Sequence, residues 1–280
     1  MKQLFDHQLV NSFMQYINYN ILSKGTAFSN ISTGFYPSTG LNQQVTIFAS
    51  PFKSFLYDKG ISGANIINGI SGSDGNFYTR ASGLSIDFNN GRVLFNSNPN
   101  LTICSGTFAL NEMNLVYTNA NEDRILMDTK YVKNPIQYQS PTGIKENVET
   151  FPITYVTYSP GTNKGANLGG LDSTEATFTC YIIADSSYLL DGTMSILRDL
   201  NKTLFGLLDP SDMPINVSGD LKDINYNYTG VTANKIWPNV VHLNEVSCSR
   251  LTPESNYQIN PDVHVGIVEC KVLAYRYPRQ

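Results

Sequence analysis

The sequence predicts an α+β fold rich in strands: an N-terminal helix, a mainly antiparallel β-sandwich or barrel domain, and a C-terminal α+β domain with an antiparallel sheet and one main helix. Three observations carry this. A segment near the start spaces its apolar residues for a helix, a long stretch after it alternates in short runs between turn residues, and a second helical pattern directly follows a strong strand near residue 185. The boundaries fall at 1–25 for the helix, which should pack on the C-terminal domain, 26–125 for the β-domain, 126–150 for a linker or arm, and 151–280 for the α+β domain.

The first helix follows from Leu9, Phe13, Ile17 and Ile21, which recur at helical spacing with Val10 and Met14 beside them. Asp6 is placed to cap it and Gly25 to end it. So wide an apolar stripe must lie against something. The stretches "QQVTIFAS", "ANIINGIS", "GLSIDF", "RVLFNS", "LTICSGTF" and "MNLVYTN" then read as strands, with turn signals at the spacing of a sandwich or barrel. At their centre, "GLSIDFNNGRVLFN" (83–96) reads as a hairpin. Asn90-Gly91 suits a two-residue type I′ turn, which puts Phe88 opposite Val93 and Ile86 opposite Phe95. Leu84, Ile86, Phe88, Val93 and Phe95 should all face a core.

The stretch 126–150 carries prolines and no clear period, as a linker does. Beyond it, "TYVTYSP" and "EATFTCYIIA" read as strands around the Gly-rich turn "GTNKGANLGG". "DSSYLLDGTMSILRDLNKTLF" (185–205) reads as a helix capped by Asp185 or Ser186, with Leu190, Met194, Leu197 and Leu204 on one side. "LLDPSDMPI" breaks it. Four strand-like pieces close the chain: "NYNYTG", "KIWPNVV", "EVSCSRL" and "HVGIVECKVLAYRYPR".

Composition narrows the function. The 280 residues carry a net charge of −4, and charged residues are 15 % of the chain, well below the roughly 25 % of an average globular protein. The dense Lys/Arg field of a sequence-independent nucleic-acid binder is missing, and no sequence-specific nucleic-acid partner is expected. The apolar runs are short and "MKQLFDHQLVNSF" is interrupted by Asp6, His7 and Gln8, so neither a membrane partner nor a secretory leader is expected.

No motif for catalysis stands out. "GTNKGANLGG" lacks the Gly-Lys-Ser/Thr order of a phosphate loop. "SGSDGN" and "DPSD" miss the calcium-loop pattern, which leaves Asp209, Asp212, Asp220 and Asp223 as turn formers unless the fold gathers them around an ion. His7, His242 and His264 belong to no hydrolase signature. Cys104, Cys180, Cys248 and Cys270 lie in separate strand-like runs, without the close spacing that metal binding needs. The expectation is therefore no enzyme, no cofactor and no metal.

Taken in order, "LVNSFMQYINYNILSKG", "GLSIDFNNGRVLF", "ADSSYLLDGTMSILRD" and "VECKVLAYRYPR" give the chain a texture that resembles virion structural proteins of tailed bacteriophages, over nearly its whole length. The strand–helix–strand order of the second half is similar to tail-completion and neck proteins, which form rings between head and tail. The resemblance implies a structural subunit of the virion, assembled in the host cytoplasm, whose partners are copies of itself in a ring and other neck or tail proteins.

Physical reading of the residues is compatible with such a role. A ring subunit needs sheet edges and arms that reach neighbours, and "QYQSPTGIKENVETFP" and "VLAYRYPRQ" have that character. At the C-terminus Pro278 stops further pairing, and Tyr and Arg favour interface hot spots. Tyr275, Arg276, Tyr277, Pro278 and Arg279 are thus the candidate assembly contacts. The alternative is a receptor- or glycan-binding β-module, with Tyr226, Tyr228 and Trp237 as candidate aromatic contacts.

Overall fold

The computed structural model describes residues 5–38, 45–128, 131–132, 149–167, 170–252 and 263–277. Two sheets and the N-terminal helix make up its frame. The helix α1 (Phe5–Gly25) buries Leu9, Phe13, Ile17 and Ile21 as their spacing predicts. Asp6 lies inside its first turn, where its carboxylate accepts the Tyr158 hydroxyl at 2.7 Å. Gly25 ends the helix and Thr26 takes the left-handed conformation, at φ 49°.

The first sheet contains β1 (Phe28–Ser38), β2 (Thr46–Ala49), β3 (Gly69–Gly72), β4 (Phe77–Thr79), β5 (Leu84–Asp87), β6 (Arg92–Phe95) and β7 (Cys104–Asn111), in the order β4-β3-β7-β1-β2-β6-β5. Every pairing in it is antiparallel. Its two edge strands, β4 and β5, are consecutive in the chain and joined by a single 3-10 turn, Arg80–Ser82. The sheet therefore curls until its edges meet, close to a barrel, which removes most of the open edge. Its interior is aromatic: Phe35, Phe48, Phe55, Phe88, Phe95 and Phe108 are all buried there.

Within this sheet the hairpin turns the predicted faces inward, since Leu84, Ile86, Phe88, Val93 and Phe95 are all buried. Its register differs from the expected one by two residues. Ile86 lies opposite Val93 and Leu84 opposite Phe95, so the loop is Phe88–Gly91, four residues rather than two. The cause is Asp87. Its carboxylate accepts the Asn89 and Asn90 backbone N–H groups at 3.1 Å each, and the Asn90 side chain at 2.8 Å. That side-chain turn outcompetes the type I′ geometry. Gly91 alone of the pair has positive φ, 65°, and Phe88 leaves the ladder for the core.

The second sheet runs β14-β15-β16-β13-β11-β8, with β12 pairing β13 off that path. It contains β8 (Asn114–Tyr117), β11 (Ile153–Ser159), β12 (Asn163–Gly165), β13 (Asp172–Ala184), β14 (Leu204–Gly206), β15 (Val240–Arg250) and β16 (His264–Arg276). The strand read from "MNLVYTN", grouped by sequence with the first domain, joins this second sheet instead, parallel to β11. A short helix α2 (Glu122–Asp128) follows it, and β9 (Tyr131–Val132) pairs in parallel with β10 (Glu149–Thr150). Most of the proposed 126–150 arm lies outside the described residues.

Helix α3 (Ser187–Arg198) is capped by the Ser186 hydroxyl, which accepts the Tyr188 N–H at 3.2 Å. It packs with α1 on one face of the second sheet, where the Phe13 and Phe178 rings stack 3.9 Å apart. The helix stops at Arg198. Leu204, read as part of its stripe, sits on β14 and is 53 % exposed. Two further readings change. "NYNYTG" is the approach to a short helix, α4 (Tyr228–Thr232), because Asn227 and Asp58 cap its first N–H groups. "KIWPNVV" and "EVSCSRL" contribute to one strand, β15, which absorbs Asn244 in a bulge.

Candidate interaction surface

The predicted contact residues sit at the end of β16, and the structure divides them. Tyr275 and Arg276 are paired strand residues, opposite Ser173 and Asp172. Arg276 is tied within its own chain. Its Nε donates to Thr174 Oγ1 at 2.8 Å, Nη2 donates to Asn163 Oδ1 at 3.3 Å, and the guanidinium lies 4.2 Å from the Phe5 ring centroid. Those contacts weld β16 to β12, β13 and the start of α1. Tyr277 follows the strand and is 36 % exposed. Pro278 and Arg279 lie outside the described residues.

Around Tyr277 the fold assembles neighbours from distant positions. Trp237, 51 % exposed, meets it edge-to-face at 6.1 Å. Ile236 stands beside Trp237 in the chain and is more exposed still. On the outer face of the sheet, Leu204 lies directly opposite His242, because Phe205 and Val241 are turned to the core. His242 then meets the Tyr275 ring edge-to-face at 6.1 Å. This end of the second sheet thus presents Leu204, His242 and Tyr275 on its outer face, and Trp237 against Tyr277 with Ile236 next to Trp237 in the chain, near the short edge strand β14. Further along the same face the surface turns polar, with Lys271 Nζ donating to Glu245 at 2.8 Å.

The other sequence candidates have different fates. Tyr226 and Tyr228 are each 5 % exposed and pack in the core, where Tyr228 stacks on Tyr19 at 4.9 Å. Burial pushes both phenols up. The four turn aspartates do not converge. Asp209 and Asp212 share Lys235, at 3.2 and 2.7 Å, Asp220 pairs with Arg80, and Asp223 accepts the Asn225 N–H. Asp212 is nonetheless partly buried, which opposes its ionisation, but the Lys235 ammonium outweighs that and its carboxyl stays below the usual range. In "SGSDGN", Asp74 is occupied by the Tyr78 hydroxyl and by Asn76. His7, His242 and His264 are exposed and lie on three different elements. "GTNKGANLGG" includes β12, whose Lys164 faces Glu175 at 3.2 Å.

Among the surface residues, Leu204 and Ile236 carry no sequence signal. Leu204 fits the helical stripe before it, and Ile236 reads as a strand residue. A chemistry of apolar and aromatic contact is what this surface offers. Compared with protein-family models and with curated proteins, the chain matches none.

Proposed function

We propose that the protein is a non-enzymatic structural subunit that assembles with copies of itself into a ring, at the neck or tail end of a tailed-phage virion. In this reading it forms in the host cytoplasm, resides in the virion and meets other neck or tail proteins. The observation that carries the reading is the exposure of Leu204, Ile236, Trp237 and Tyr277 at the end of the second sheet that ends in the three-residue edge strand β14, with Trp237 and Tyr277 in contact. Exposed aromatic clusters of this kind mark contact surfaces, and Trp and Tyr supply most of the energy where partners meet. The virion setting rests on the resemblance described above.

The mass of the purified protein in solution tests the proposal. A defined large ring that Trp237→Ala combined with Tyr277→Ala converts to monomers, with an unchanged circular dichroism spectrum, is the expected result. A monomer or trimer that binds sugars through Trp237 would favour the alternative receptor- or glycan-binding module.

A further inference from the structure

At the opposite edge of the second sheet, where β8 passes under α1, lies a cleft of about 220 Å³. It is bordered by α1, by the loop 52–57 of the first sheet and by the β7–β8 turn. Five of its lining residues are carboxamides, Gln15, Asn18, Asn89, Asn111 and Asn114. Among the described residues the lining includes no carboxylate, Lys, Arg or His. Tyr57 is the one titratable group among the described lining residues, and burial pushes that phenol up to about 12, so it stays neutral.

The polar groups are preorganised rather than idle. Gln15 Oε1 accepts the Tyr57 hydroxyl at 3.1 Å, Asn18 Oδ1 accepts Asn111 Nδ2 at 3.0 Å, and Asn114 Oδ1 accepts the Ser54 hydroxyl at 2.9 Å. Ser54 itself is held at φ 59°, a left-handed conformation rare for serine, by N–H donation to the Asn89 carbonyl and acceptance from the Asn111 N–H. With four carboxamide oxygens committed internally, the fourth being Asn111 Oδ1, which accepts the Met113 N–H at 3.0 Å, Gln15 Nε2 and the whole Asn89 carboxamide make no hydrogen bond among the described residues and are left for a ligand.

We propose that this cleft binds one neutral, saturated, polyhydroxylated ring: a single pyranose unit. Among the described residues the lining offers no cation to pair with a phosphate or carboxylate, whereas its carboxamides match neutral hydroxyl groups. The volume lies below the roughly 300–1,000 Å³ of ordinary small-molecule pockets, so one ring fills it. The apolar walls are Met14, Met113, Leu115 and Val116, which suit the C–H face of a sugar. They offer no open aromatic face on which a planar nucleobase could stack. Phe55 already packs on Phe108 at 4.0 Å, and the Tyr57 ring is engaged by Phe88 and Tyr226.

Saturation-transfer NMR on the full chain with methyl glucoside and methyl galactoside tests this, and it reads binding whatever the oligomeric state. At least one glycoside is expected to give a signal of millimolar affinity. Asn89→Ala should weaken it about fivefold or more, and Met14→Trp, which fills the cleft, should abolish it, whereas Trp237→Ala leaves it unchanged. Asn89 is exposed and its carboxamide makes no hydrogen bond among the described residues, so its variant tests the site without disturbing the fold. No signal from either glycoside overturns the proposal. So does a signal that survives both cleft variants or is lost with Trp237→Ala, or an equal cleft-dependent signal from adenosine or glucuronate.

Discussion

Gly91 shows how much one backbone position can hold. Its φ is 65°, and a Cβ there would overlap the carbonyl oxygen of Phe52, so two separate constraints exclude a side chain. Gly91→Val is expected to destabilise the protein by about 1–3 kcal/mol. An unchanged denaturation midpoint would remove the positive-φ account of this turn. Asp58 makes a second residue-scale prediction. It is 4 % exposed, and its carboxylate accepts N–H groups from Gly60 at 2.8 Å and Tyr228 at 3.3 Å. Burial raises its pKa, and the hydrogen bonds from Gly60 and Tyr228 offset this in part. A folded-state pKa above the unfolded value means that the native state holds the proton more tightly. Its contribution is therefore full below the unfolded pKa, about 3.9, and is lost as pH rises through the raised folded value. Asp58→Asn should flatten the stability-versus-pH curve in that window. Superimposable slopes for the two proteins would show that Asp58 does not titrate there.

At the scale of elements, α1 joins the two halves of the molecule. Phe13 is fully buried and stacks on Phe178 of the second sheet, while Leu22, one turn from the other end, packs with Leu56 and Ala109 of the first. Phe13→Ala should cost about 3–5 kcal/mol, read from denaturant unfolding. A loss under 1 kcal/mol would mean that α1 is docked chiefly by other contacts. The strands make a prediction about thiols. Three of the four cysteines, Cys180, Cys248 and Cys270, share the face of the second sheet that α3 covers, brought together by register from far apart in sequence. Burial pushes the Cys104 thiol up to about 11; Cys180 is raised by the adjacent Cys270 thiol and by burial. Because the thiolate is the reactive form, labelling should be slow in the native protein, with half-buried Cys248 first, and should reach all four after denaturation. Fast native labelling of Cys180 would show that α3 opens readily.

For the whole molecule, the question is which part of the C-terminus is free to meet a partner. Arg276 is anchored to Thr174, Asn163 and Phe5, so removing residues from 275 onward would strip paired strand and weaken the fold itself. Truncation after Arg276 separates the two roles. It should leave the circular dichroism spectrum and melting temperature unchanged but reduce ring formation, since it removes Tyr277 from beside Trp237. Normal assembly of that truncated chain would shift the contact surface to Leu204, Ile236 and Trp237. Loss of folding would instead assign Tyr277 to the architecture of β16.

Local period by itself determined α1, with its buried Leu9, Phe13, Ile17 and Ile21, the inward faces of the hairpin, and the alternating frame of β16. These depend on spacings of two to four residues, which backbone geometry converts directly into faces. β1 carries no such local signal. Phe28, Ile31 and Phe35 do not alternate, and of its residues Phe35 alone is buried. Tertiary structure decided everything that required choosing a partner. Asp87 lengthened the hairpin loop by capturing its N–H groups, Asp58 turned "NYNYTG" toward a helix from 170 residues away, and β8 left the first sheet for the second. The aromatic surface arises in the same way. Trp237 and Tyr277 become neighbours through the pairing of β15 with β16, and the carboxamides of the cleft converge from α1, the hairpin loop and the β7–β8 turn. Such pairings depend on which buried polar group finds a donor and which apolar face finds cover. Those energies exist between segments distant in sequence, where a local pattern carries no record of them.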